Sequence, residues 1–150
     1  MAPLTGSSTA DIDAPLDEVW ALVADVERAP EWQGGLKGMH GRERDQEDRA
    51  TLCEAETDAK VRTVKSIVRF RYDEAPHALR WSQEKGDLKS VEGSWELEDL
   101  DGGRTRATYR IEAELGRMLG MVIRGPLVDV LRDMLAGARA GELKRAMEED

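Results

Sequence analysis

The chain has 150 residues, 40% hydrophobic and 35% charged, enough for one ordinary domain with a real core and unlike a disordered chain. Its formal charge of −9 argues against nucleic-acid and anionic-surface partners, whose phosphates would repel it. With Cys53 as the single cysteine there is no intrachain disulfide and no Cys-rich zinc site, and no run approaches the ~20 apolar residues that span a bilayer.

The opening Met1 to Ser8 has neither the basic start nor the apolar run of a signal peptide, so a cytoplasmic location is expected. Ser7 to Asp13 alternates, with Ala10 and Ile12 on one side, and reads as a half-buried strand. Ala14-Pro15 starts a helix with Asp17 and Glu18 in its first turn, where the helix dipole favours acids. Val19, Trp20, Leu22, Val23 and Val26 form its apolar stripe. A second short helix or turn is expected around Ala29 to Trp32, ended by Gly34-Gly35.

The middle of the chain reads as strands. Leu36 to Arg44 and Arg49 to Thr57 flank a charged turn at Asp45 to Asp48. Val61 to Tyr72 follows, with Val64, Val68, Phe70 and Tyr72 on one face and Lys65, Arg69 and Arg71 on the other. Leu79 to Glu84 puts Leu79 and Trp81 together, and Ser90 to Asp99 does the same for Val91, Trp95 and Leu97. Asp101-Gly102-Gly103 is a hairpin turn signal. Arg104 to Leu115 then places Ala107, Tyr109, Ile111 and Ala113 inward.

The period changes at Gly125-Pro126, where a helix opens with proline at its first position and runs to about Glu148. Its stripe comprises Leu127, Val130, Leu131, Met134, Leu135 and Ala138. Ala136, Gly137, Ala138, Ala140 and Gly141 are small, and glycine costs a helix ~1 kcal/mol relative to alanine. Close helix–sheet packing and room for a guest both account for them, and both readings stand. Met118 to Ile123, flanked by Arg117 and Arg124, likewise has two readings. It is either a lid or membrane-touching loop, or the buried first turns of the terminal helix.

Ile12 to Trp32 (I-D-A-P-L-D-E-V-W-A-L-V-A-D-V-E-R-A-P-E-W) resembles the opening of the START-like polyketide cyclase/dehydrase and lipid-transport superfamily, also called SRPBCC. Val91 to Leu97 (V-E-G-S-W-E-L) resembles the E-G-x-W strand of its coenzyme Q-binding branch. The resemblance covers nearly the whole chain and implies an α+β helix-grip fold. In that fold a curved antiparallel sheet of six to seven strands wraps a long C-terminal helix, with two short helices after strand 1. One such domain over residues 1–150 is expected. The resemblance also implies an apolar tunnel between sheet and helix. By position, its ligand contacts are Trp32, Phe70, Trp81, Trp95 and Tyr109, with Leu127, Leu131 and Met134 on the helix. Val68 and Ser66 complete the candidate set, with the Ser66 and Tyr109 hydroxyls side by side to orient a carbonyl or phenol. Taken singly, each aromatic also suits plain core packing.

No catalytic, nucleotide or metal signature competes with this reading. His40 and His77 are isolated, and no G-x-S-x-G elbow, phosphate loop or dinucleotide fingerprint occurs, so no metal and no cofactor is expected. Glu54 or Glu56 would face inward only if the strand register slipped by one. The basic row Lys65, Arg69 and Arg71 is read as outward, ion-paired with neighbouring strands. Three functions follow: binding or carriage of a lipid, isoprenoid quinone or polyketide-like guest; an aromatase/cyclase; or a protein-interaction module. Transient membrane contact through Met118 to Ile123 is part of the first, and the sequence leaves the oligomeric state open.

Overall fold

Alternating strands with polar outer faces must bury their inner faces, and here a helical layer covers them. The computed structural model describes residues 4–60 and 62–148. β1 (Leu4–Ile12) leads into α1 (Leu16–Ala24) and a 3-10 helix (Val26–Glu31). Six strands follow: β2 (Leu36–Arg44), β3 (Ala50–Asp58), β4 (Thr63–Arg71), β5 (Ala78–Gly86), β6 (Ser90–Asp99) and β7 (Thr105–Glu114). The chain closes with α2 (Gly116–Val122), α3 (Pro126–Arg132), a π-helical turn (Asp133–Gly137) and α4 (Arg139–Glu148).

The seven strands form one antiparallel sheet in the order β1-β7-β6-β5-β4-β3-β2. This is a helix-grip fold, a curved sheet holding the C-terminal helical segments. Register breaks between β2 and β3, and at Ile67/Val68 between β4 and β5, add the local twist that lets such a sheet curl. The expected inward faces are observed: Val64, Val68 and Phe70 on β4, Leu79 and Trp81 on β5, and Ala107, Tyr109 and Ala113 on β7 are all buried. Register between β3 and β4 keeps Glu54 and Glu56 outward, where Glu54 pairs with Arg42. Of the outer basic row only Arg69 forms the expected ion pairs among the described residues, whereas Arg71 Nη1 donates to Ser82 Oγ of β5 at 3.2 Å and the Lys65 ammonium pairs with no carboxylate. Arg69 meets Glu84 at 2.8 Å and Glu43 at 3.2 Å, and Arg110 meets Glu96 at 2.7 Å.

Three expectations need correction. β1 begins at Leu4 rather than Ser7, because Leu4 to Gly6 continue the ladder with Ala113 to Ile111. β4 begins at Thr63, and the expected start at Val61 lies outside the described residues. The terminal helix spans the expected stretch but is not continuous. At Asp133–Gly137 it widens by one residue, and the Ala138 N–H donates to the Asp133 carbonyl at 2.9 Å, an i to i+5 bond.

That extra residue rotates the buried face. Beyond Leu131 the buried positions are Ala136, Arg139, Ala140 and Leu143, so Ala138 faces solvent instead of the core. The small residues divide accordingly. Ala136 presses on β1, where a Cβ built on Gly6 would lie 2.6 Å from the Ala136 Cβ. The Ala140 N–H donates to Ser8 Oγ at 3.0 Å. Close packing thus explains Ala136 and Ala140, whereas Gly137, Ala138 and Gly141 are exposed and serve neither expected purpose.

Met118 to Ile123 is neither a loop nor the start of the terminal helix. It lies largely in the separate helix α2, with Leu119 and Ile123 buried. Met118 is 79% exposed and Met121 65%.

Candidate functional site

Aromatic residues at alternate positions of neighbouring strands stack across a sheet, and in this protein they make a floor. Phe70 (β4) lies 6.0 Å from Trp81 (β5), Trp81 lies 5.6 Å from Tyr109 (β7), and Tyr109 lies 4.8 Å from Trp95 (β6), ring centre to ring centre. The row crosses β6 because Gly93 has no side chain. A Cβ there would come within 2.6 Å of Trp81 Cζ2, so only glycine lets the indole lie across the strand.

Above this floor is a cavity of ≈170 Å³, roofed by Leu131, Leu135, Ala136 and Arg139 from the terminal segments. Val23 and Val26 close one side, and Leu36 and Met39 of β2 form part of the wall. Leu119, Ile123 and Leu131 join Ala59 and Val64 in a second apolar cluster beneath α2, distinct from the main core.

Of the sequence-derived candidates, Ser66, Val68, Phe70, Trp81, Trp95, Tyr109 and Leu131 line the cavity together. Trp32, Leu127 and Met134 do not. Trp32 packs at the margin of the main core, its ring 6.0 Å from that of Trp95. Leu127 of α3 and Met134 of the π turn pack against the second cluster instead.

The expected pairing of the Ser66 and Tyr109 hydroxyls is also absent. Ser66 Oγ donates to Gln83 Oε1 at 2.8 Å, and Gln83 Nε2 donates to the Leu88 carbonyl at 2.9 Å. β5 and β6 separate Ser66 on β4 from Tyr109 on β7, so the two hydroxyls are not on neighbouring strands.

Sequence reasoning missed Arg139. Its side chain is only 4% exposed, and Nη1 donates to Glu142 Oε1 at 2.7 Å and to the Gly34 carbonyl at 3.0 Å. Glu142 Oε2 in turn accepts from the Gly34 N–H at 2.7 Å. This clamp ties α4 to the loop after the 3-10 helix. The guanidinium lies 5.7 Å from the centre of the Tyr109 ring. Burial pushes the Tyr109 phenol up, against the opposing pull of the Arg139 charge, so it stays protonated at neutral pH. The only usable signal was Arg139 three residues before Glu142, a spacing that usually marks a solvated helix pair.

Cys53 is fully buried, and burial pushes its thiol up to about 11, which makes it a small core residue rather than a nucleophile. Both histidines are exposed, and among the described residues no three of His, Cys, Asp or Glu cluster to hold a metal. Among the described residues no helix is long and apolar enough to cross a membrane.

A START superfamily protein from Mycobacterium smegmatis superposes with a TM-score of 0.81 at 19% identity, covering 97% of both chains. An aromatase/cyclase from Streptomyces gives 0.70 at 19% identity over 98% of this chain and 97% of that one. A major latex-like protein from Panax ginseng gives 0.64 at 15% identity, covering 97% and 99%. At these identities the likeness is one of fold. A search of curated proteins finds no match. The sequence profile described as polyketide cyclase/dehydrase and lipid transport matches residues 12–139, so helix grip, cavity and sequence agree, and the chain belongs to that START-like family.

Proposed function

We propose that the protein binds a compact, largely apolar molecule between the aromatic floor and the terminal helical segments. The observation that carries this reading is the ≈170 Å³ apolar cavity itself. It slightly exceeds the ~150 Å³ apolar cavity known to admit benzene and falls below the ~300–1,000 Å³ of pockets for drug-sized ligands. The volume favours a guest of one or two rings over an isoprenoid quinone or fatty acid at full length. Val68, Phe70, Trp81, Trp95, Tyr109 and Leu131 are its proposed contacts, with Ser66 at one end.

Binding is favoured over cyclase catalysis by the ionisable groups around the cavity. Among the described lining residues these are Tyr109, Arg132 and Arg139, with no carboxylate or histidine beside them to serve as a general base. α2 is the proposed exchange route: Ile123 reaches the cavity while Met118 and Met121 face outward beside Arg117, which suits brief contact with an apolar surface.

Native mass spectrometry of gently isolated protein and displacement of an apolar dye test the reading. Bound small molecule, and dye binding abolished by Ala55→Phe with the fold intact, support it. Dye binding that Ala55→Phe leaves unchanged refutes the cavity as the site.

A further inference from the structure

A net charge is an average, whereas an approaching surface responds to the charges within about one screening length, ~8 Å at physiological salt. The acids that give this chain its charge of −9 are unevenly spread. From Leu115 to Val128 there are Arg117 and Arg124 and no acid, although acids make up 31 of the 150 residues. That stretch forms α2 and opens α3. The β3–β4 and β5–β6 turns lie at the same end of the molecule, because Ala59 and Leu88 pack with Leu119 and Ile123 in the second apolar cluster. These turns add Lys60, Arg62 and Lys89, all exposed. Asp87 takes Arg62 at 3.9 Å, Glu114 takes Lys89 at 3.5 Å, and Asp129 is held by Arg132 at 2.9 Å. Asp58 accepts the Lys60 backbone N–H at 2.8 Å. Among the described residues no carboxylate forms an ion pair with Lys60, Arg117 or Arg124.

The same end carries the exposed apolar side chains. Leu119 and Ile123 of this segment face the second cluster, while Met118, Met121 and Val122 on the opposite side are 79%, 65% and 53% exposed. Spacings of three and four residues group those three on one helix face, and a grouped apolar face marks an interaction surface. We infer that α2 and the two turns form a docking face for an anionic lipid surface. Met118, Met121 and Val122 enter the boundary between headgroups and acyl chains, and the arginine and lysine side chains reach the lipid phosphates. This rests on α2 being the exchange route and names the surface it meets. Leu88, Leu115 and Ile123 of this end also line the cavity, so the docked face adjoins it. Lipid is favoured over an acidic protein because side chains that project on all sides need no matching groove. The acidic remainder of the chain orients this end toward the membrane by repulsion.

The test is co-sedimentation with vesicles of phosphatidylcholine alone and of its mixture with phosphatidylserine, at low and at high salt. Wild-type protein should bind the mixed vesicles, release them at high salt and bind the neutral ones weakly. Arg117→Gln combined with Arg124→Gln should weaken binding about thirtyfold, each cation near such a surface contributing about fivefold. Met118→Gln combined with Met121→Gln should weaken it about tenfold or more. All four side chains are exposed, so both double variants should keep the wild-type circular dichroism spectrum. Equal binding to neutral and mixed vesicles, or binding that either double variant leaves unchanged, overturns the inference. No vesicle binding by a wild-type protein that still binds an apolar dye removes the inference and leaves the cavity reading standing. A dimer that the methionine variant dissolves, without vesicle binding, assigns the face to a second copy of the chain and also overturns the inference. Vesicle binding without dye binding removes the cavity reading and leaves the docking face.

Discussion

Gly93→Ala puts the aromatic floor under direct strain. Gly93 of β6 stands opposite Trp81 of β5 in the ladder. The added methyl would lie 2.6 Å from Trp81 Cζ2, 2.7 Å from Cε2 and 2.8 Å from the Arg110 carbonyl oxygen. Carbon atoms prefer separations of ~3.5–4.0 Å, so the indole must move by about 1 Å. Phe70 and Tyr109 flank it at 6.0 and 5.6 Å, which leaves the cavity as the direction of escape. Overpacking of this kind costs ~1–3 kcal/mol, offset in part by the ~0.5–1 kcal/mol that alanine gains over glycine inside a strand. At ~2–4 °C per kcal/mol for a chain of this size, the melting temperature should fall by several degrees. Circular dichroism melts read this directly, and near-ultraviolet spectra report the displaced tryptophan. A melting temperature equal to or above that of the wild type, with an unchanged aromatic spectrum, refutes the reasoning.

Other outcomes follow from the same geometry. Gly6→Ala should destabilise by ~1–3 kcal/mol through its clash with Ala136, and Ala136→Gly in the same chain should recover part of that loss; additive effects in denaturant titrations would contradict the contact. Cys53 should resist thiol reagents at pH 8 in the folded state and react once the protein unfolds, because burial holds its thiol up to about 11. Glu27 accepts from Arg44 and from the Gly41 N–H, which lower its carboxyl below the ordinary 4.5. A depressed carboxyl contributes stability that is present above its unfolded value and lost as pH falls through the folded value. Glu27→Gln should therefore flatten the acid limb of the stability profile below about pH 4.5, and an unchanged limb would disprove the link.

Strand faces were legible because a period of two leaves little choice once one side is apolar. Ala107, Tyr109 and Ala113 had to point together, and they do. The opening of α3 was legible for a similar local reason, since Gly125 takes φ 64° and Pro126 fills the first helical position. The terminal roof was less so. The π turn is coupled to Ala136 meeting Gly6, a contact spanning most of the chain, and its extra residue carried Ala138 out of the core. Arg139 was illegible for the same kind of reason, because its burial depends on the Gly34 carbonyl, 105 residues away. Ser66 was correctly placed facing inward, yet its partner was set by which strand lies beside β4. That neighbour is β5 with Gln83, not β7 with Tyr109.

Xenon pressurisation of crystals tests the central claim without presuming the guest's identity, because xenon enters dry apolar cavities. The account predicts a strong xenon peak enclosed by Phe70, Trp81 and Leu131, lost in Ala55→Phe. Crystals whose side chains close over that space, with no xenon bound there, would contradict it.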